Sequence, residues 1–193
     1  MEKSVKDLLV DELHDILSSE EQIIAALPGM AKASNSAELK KAFESHLKET
    51  KGQVKRLEKI FKILKEARKE KFCKGTKGLI QEGKDVLKEM KKSPARDAAL
   101  ISKAQRIEHY EISAYGTARA FAQEIELKDV AALLQETLEE EENADKKLTS
   151  ISEGGLLKEV NNASLKVKST KSKPKSKPKP KPESSAKKRT AKR

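Results

Sequence analysis

Three glutamates stand where an amphipathic helix should carry apolar residues. At about 100° per residue, Glu20 is in register with Leu13, Ile16, Ile23, Ile24 and Leu27, near the centre of one apolar stripe. Glu111 holds the same position on a second segment, between Ile107 and Ala114 or Ala118, and Glu141 lies between Leu138 and Leu148 on a third, with Asp145 one turn beyond it. Glu108 is one turn before Glu111 and about 60° off the centre of its stripe, close enough to join from the side. On a fourth segment Glu49 lies at the stripe's edge beside His46 and Gln53, while Thr50 takes the centre. A carboxylate buried without a partner costs several kcal/mol or takes up a proton. One such acid is explained equally well by a neighbouring Lys51 or Lys146; several on separate helices point to a shared cation. An oxygen-rich donor set with few His and no nearby Cys suits hard or borderline divalent ions, and a carboxylate cage between four helices is the usual setting for paired iron or manganese. His109 falls on the opposite face and reads as a surface residue.

The elements that must position these side chains are long helices with apolar residues three and four apart. Helix A is expected over about Val5 to Lys32, with a kink at Pro28. Helix B should start at an N-cap Ser36 and end near Arg68. A short connecting helix follows over Gly78 to Met90; helix C then spans Pro94 to about Ala122 and helix D about Leu127 to Ser152, with Gly154-Gly155 ending the pattern. A long B to C connection between two short ones is the signature of two helical hairpins joined by a crossover, the ferritin-like arrangement. The expected fold is therefore an all-α, ferritin-like four-helix bundle with an extra short helix in the crossover. A repeat offset by 91 residues supports it: Glu20 falls on Glu111, Ile16 on Ile107, Leu47 on Leu138, Glu49 on Glu140 and Leu57 on Leu148.

Composition agrees with helices and narrows the function classes. Aromatic residues make up 3% of the chain, with no Trp, which disfavours sheets. The longest uncharged stretch, Gln22 to Ala31, is too short to span a bilayer, for which about 18 or more apolar residues are needed. With one cysteine, Cys73, no internal disulfide forms, and the N-terminus has no apolar signal core, so the cytoplasm is the expected compartment. Cys73 itself reads as a small loop residue rather than a redox thiol. The formal net charge of +11 belongs almost wholly to one end: residues 166–193 hold 13 Lys or Arg against the single acid Glu183, a charge of +12 that leaves −1 for the first 165 residues. We expect a helical domain over residues 1–160 and a disordered, Lys/Pro-rich tail over 161–193, with apolar residues too sparse to form a core.

Several stretches resemble the YciE/YciF-type ferritin-like stress protein family. They are Leu8-Leu-Val-Asp-Glu-Leu through Ser19-Glu-Glu-Gln, His46-Leu-Lys-Glu-Thr through Arg56-Leu-Glu, Gln105-Arg-Ile-Glu-His-Tyr-Glu through Tyr115-Gly-Thr, and Leu134 through Glu140-Glu with Ala144-Asp-Lys-Lys-Leu. The resemblance covers about residues 3 to 155, and it implies a rubrerythrin-like bundle, a homodimer, and a di-iron carboxylate site, with manganese as the other metal it would take. Carried over position by position, it implies ligands Glu20, Glu49, Gln53, Glu108, Glu111, Glu141 and Asp145. Bundles of this kind present Glu-x-x-His on two helices; here the matching spacings are Glu49-x-x-x-Gln53 and Glu141-x-x-x-Asp145, without His.

Two functions are thus in view, beside a third class, a metal-free helical scaffold. The first is an iron-binding stress-response protein that oxidises or sequesters Fe(II). The alternative is a DNA-associated helical protein whose tail coats nucleic acid without redox turnover. Lys171, Lys173, Lys175, Lys177, Lys179, Lys181, Lys187, Lys188 and Arg189 would make the phosphate contacts. Such contacts release counterions and carry no base readout, so binding should be non-specific and steeply salt-dependent. Truncation after Ser164 is expected to abolish retardation of duplex DNA in a low-salt gel and to leave metal binding intact; a truncated body that binds DNA as tightly as the whole chain would refute the assignment to the tail.

Overall fold

The computed structural model describes residues 2–171. Its six α-helices are α1 (Val5–Ala33), α2 (Ala37–Leu64), α3 (Lys74–Glu89), α4 (Pro94–Glu124), α5 (Lys128–Ile151) and α6 (Leu157–Lys171), with no strand among the described residues. Helix α1 pairs with α2 and α4 with α5 as antiparallel hairpins; α1 also lies against α4 and α2 against α5, while α3 crosses over α1 and α4. This is the expected all-α bundle of two hairpins with a short helix in the crossover. Among the described residues no helix is long and apolar enough to cross a membrane.

Local chemistry sets the helix ends. Ser4 starts α1 through a reciprocal capping box with Asp7, and Ser36 caps α2 by accepting from the Glu38 and Leu39 amides. Helix α1 continues through Pro28 to Ala33. Helix α2 stops at Leu64, earlier than the expected Arg68: the apolar stripe runs out, and Lys65 turns left-handed at φ 54° to close the last turn. Helix α3 begins at Lys74, one turn before the expected Gly78, because its first turn is stitched onto α1 through Cys73 and Thr76, as described below. Asp97, fully buried in the first turn of α4, holds the α1–α2 connection by accepting from the Asn35 and Ser36 amides at 2.7 and 2.6 Å.

The expected stop at Gly154-Gly155 is the main departure in the fold. The chain instead passes through a π-helical turn over Ser152–Leu156 and continues as α6. Gly155 supplies the bend with φ 138°, a conformation that side-chain-bearing residues rarely adopt. The bend lets Leu156 bury against the core that contains Ile23, Ile101 and Ile151. Helix α6 spans the expected 160/161 division and runs to Lys171. Lys173, Lys175, Lys177, Lys179, Lys181, Lys187, Lys188 and Arg189 lie outside the described residues.

The apolar interior falls into two bodies. One gathers Leu9, Leu13, Leu17, Leu57, Ile60 and Leu134 among others; the second gathers Ile23, Leu27, Phe43, Ile107, Leu148 and Ile151. Every helix of the bundle crosses from one body to the other: α1 between Leu17 and Ile23, α2 between Phe43 and Leu57, α4 between Ile107 and Tyr115, and α5 between Leu138 and Leu148. The layer between them is polar.

Candidate metal centre

Each helix brings a polar side chain to that layer because its apolar stripe is interrupted at the same height. Glu20 and Glu141 are 0% exposed, Glu111 1%, Glu108 3% and His46 6%. One donor atom each from His46, Glu108, Glu111 and Glu141 lies within 4.8 Å of every other. The His46 Nε2 atom is 3.3 Å from Glu108 Oε2 and 3.9 Å from Glu141 Oε2. Two atoms bound to one ion at about 2.1 Å can be at most about 4.2 Å apart, so the widest pair of the four donors must close by at least roughly half an ångström for all to hold one cation.

These acids differ from a structural buried acid in what their oxygens touch. Both Asp97 oxygens accept a backbone N–H. In contrast, Glu20, Glu108, Glu111 and Glu141 each leave Oε2 buried without a hydrogen bond, and neither ring nitrogen of His46 makes one. Buried polar atoms are nearly always partnered, so five orphaned groups in one layer mark a place for a ligand. One imidazole nitrogen and carboxylate oxygens suit a first-row divalent ion.

Protons hold the layer together when no cation is present. Burial, reinforced by neighbouring carboxylates, pushes Glu108 and Glu111 well above the usual carboxylate range. Burial raises Glu20 to about 8 against the hydrogen bond from Tyr115, and raises Glu141 to about 7 against the pull of His46. Burial opposes a charged His46, yet Glu108, Glu49, Glu141 and Glu20 outweigh it and push the imidazole up to about 10. A cation entering the layer must displace these protons, so its affinity rises with pH.

A second set of groups supports the donors. Tyr115, fully buried, donates to Glu20 Oε1. Ser19 donates to Glu111 Oε1 at 3.2 Å, and a buried chain continues from Ser19 to Thr76 (2.6 Å), Cys73 Sγ (3.4 Å), the Tyr110 hydroxyl (3.1 Å) and Asp15 (3.1 Å). A side chain at Gly75 would collide with the Tyr110 ring, its Cβ falling 2.7 Å from the ring edge. The crossover helix thereby braces Glu111, and Cys73 is a buried member of that brace. Across the bundle Arg56 binds Thr137 and both oxygens of Glu140, tying α2 to α5 beside the site.

Of the residues singled out in the sequence, the structure brings Glu108, Glu111 and Glu141 into the four-donor cluster, with Glu20 buried in the same layer. Gln53 is fully buried, but its amide donates to Glu141 and to Glu140, so it orients a carboxylate. Glu49, about 100° from Thr50 on the wheel, turns outward; its side chain is 47% exposed and lies 3.7 Å from His46 Nδ1. Asp145 overshoots Glu141 by about 40° and accepts from Gln105 on the flank of α4, with His109 3.5 Å away. His46 was noted in the sequence only as a neighbour of Glu49. Its signal was phase: four residues before Thr50, it shares the inward face of α2. Thr50 is itself fully buried but donates its hydroxyl to the His46 carbonyl, away from the cluster.

A helical bundle of two hairpins with a carboxylate and imidazole layer at its centre belongs to the ferritin-like class. The chain is a member of the DUF892 family, described as a domain of unknown function, whose model matches residues 4–161. It is 38% identical over 161 residues to protein YciF of Escherichia coli strain K12, covering 83% of this chain and 97% of that one. The crystal structure of the E. coli stress protein YciF superposes with a TM-score of 0.77 over 83% of this chain and 99% of that one. A second solved relative, YcfI from Rhodopseudomonas palustris, is 37% identical over 77% of this chain and 94% of its own, with a TM-score of 0.74. A Xanthomonas campestris protein at 17% identity shares the fold with a TM-score of 0.64, covering 86% of this chain and 99% of that one.

The proton-filled layer gives a stability prediction for the metal-free protein. Between the usual value of 4.5 and the folded value of about 8, Glu20 binds more proton in the folded state than in the unfolded state. Its contribution to stability is therefore complete below pH 4.5 and is lost as pH rises through 8. A glutamine cannot ionise and still accepts from Tyr115, so Glu20→Gln should melt close to wild type near pH 5 and above it at pH 9. Thermal melts in the presence of a chelator test this; a variant destabilised equally at both pH values would show Glu20 to be held by an ion pair instead.

Proposed function

We propose that this protein binds Fe(II) in the central layer, with His46, Glu108, Glu111 and Glu141 as ligands, as part of a stress response. The observation that carries this reading is the set of buried donors within 4.8 Å of one another, each with an unpartnered atom. The stress-response context comes from the relative, since the E. coli homologue is described as a stress protein. Iron held in such a cage supplies one-electron chemistry toward dioxygen or peroxide and is withdrawn from free solution.

The chain's own residues favour two unequal positions over a symmetric pair. The 91-residue offset that places Glu20 on Glu111 also places Thr50 on Glu141, Gln53 on Ala144 and Thr137 on His46. By this equivalence one half of the layer has the anionic and imidazole donors, and the other has Glu20 with the neutral Thr50, Gln53 and Thr137 at the corresponding positions. A first ion is held by the His46 half. A second would rest on Glu20 Oε2, whose companion oxygen accepts from Tyr115, with only the neutral Gln53 oxygen, buried and without a hydrogen bond, to add to it. Within the first position Gln53 and Ser19 orient Glu141 and Glu111.

Anaerobic Fe(II) titration of the chelator-treated protein, followed by calorimetry, is expected to show one tight equivalent per chain and a second, weaker one. His46→Ala and Glu141→Ala should each weaken the tight equivalent by more than about 100-fold, beyond what loss of a supporting partner costs. Glu20→Ala should remove only the weak one. Unchanged tight binding in both His46→Ala and Glu141→Ala would rule out the cluster as the iron site.

A further inference from the structure

The donors of the cluster are almost wholly buried, so a cation needs a route to them. A cavity of about 480 Å³ lies between α2 and α5, and its lining includes His46 and Glu108 but none of Glu20, Glu111 and Glu141. Its sides include Phe43, Ala144 and Leu148, and Glu49 and Glu140 are at its polar lining. The cavity therefore reaches the cluster from the side of His46 and Glu108, two of the residues with buried donor atoms that make no hydrogen bond.

The repeat explains why there is room. Ala144 occupies in α5 the position that Gln53 occupies in α2, and the methyl group leaves space where the longer amide fills it. It also separates the two acids. Glu49 and Glu140 are equivalent in the offset, but Glu140 is bound by Arg56 and by Gln53 and is neutralised. Glu49 is half-exposed, and its contacts are the Ser45 hydroxyl at 3.5 Å and His46 Nδ1 at 3.7 Å.

We propose that this cavity is the loading port of the metal centre and that Glu49 is its transit ligand, taking a divalent cation from solvent and passing it to His46 and Glu108. The proposal rests on the metal-binding reading above. It assigns Glu49 a role in the rate of uptake and none in the final coordination. Lys41 and Lys147, which also line the cavity, oppose the capture of cations, so the charge of Glu49 matters more. Attraction of this kind acts on association rates and weakens with ionic strength.

Stopped-flow mixing of the metal-free full-length protein with Co(II), read by visible absorption, tests the port. In Glu49→Gln the association rate at low salt is expected to fall at least about tenfold, the lower end of electrostatic steering, with the final spectrum and stoichiometry of the wild type. The difference should shrink in high salt. Ala144→Leu, which fills the cavity, should slow uptake at every ionic strength, and a matching thermal melt confirms its fold. Wild-type association rates in both variants, with full binding, would overturn the proposal and place the port elsewhere. A changed Co(II) spectrum and weaker equilibrium binding in Glu49→Gln at an unchanged association rate would also overturn it, by making Glu49 a resident ligand. If the wild type binds no Co(II) and no Fe(II), the metal reading itself fails and the port with it.

Discussion

The constraint on which the rest of this structure depends is the removal from water of four carboxyl groups and an imidazole at one height of a helical bundle. No arrangement of apolar neighbours makes that favourable. The molecule offsets that cost in two ways, by raising the acids above the usual carboxylate range so that they take up protons and by supplying each with one hydrogen bond or a charged neighbour, yet it leaves Oε2 of each without a hydrogen bond. Hydrogen bonds alone suffice for a structural buried acid, as the fully satisfied Asp97 shows at the α1–α2 connection. The free oxygens are what a purely structural network would not retain.

Much of the surrounding structure follows from this layer. The two apolar bodies on either side clamp the four helices of the antiparallel bundle, so that side chains from different helices meet at one level. The crossover helix α3 does more than connect the hairpins: its first turn reaches Glu111 through Thr76 and Ser19. Arg56 fixes the spacing of α2 and α5, the two helices that flank the cavity. The bundle is thereby rigid around the donors while one side stays open.

The sequence made the helices and the misplaced acids visible because both are matters of period. Glu20, Glu111 and Glu141 lie at stripe centres, and a wheel drawn from the sequence finds them. It fails at the edges of the stripe, where a rotation of about 40° to 100° decides whether a side chain reaches the centre or the surface. Glu49 and Asp145 fell on the wrong side of that margin, and His46 on the right one. Rotation about a helix axis is set by packing against the neighbouring helices, which a single-helix pattern does not contain. The 91-residue offset, by placing Thr50 on Glu141 and Gln53 on Ala144, already says that the two halves of the layer are unequal. The continuation into α6 was hidden because two adjacent glycines usually end a helix, and here one of them bends it.

The central claim is that one ion is held between α2, α4 and α5 by an imidazole and three carboxylates. The most direct measurement is an anomalous difference map at the iron edge, from crystals of the protein loaded anaerobically with one equivalent of Fe(II). The account predicts a single dominant peak within bonding distance of His46 Nε2 and of oxygens from Glu108, Glu111 and Glu141. A peak centred on Glu20 and Gln53 with His46 unbound, or no ordered iron in the layer, would contradict it.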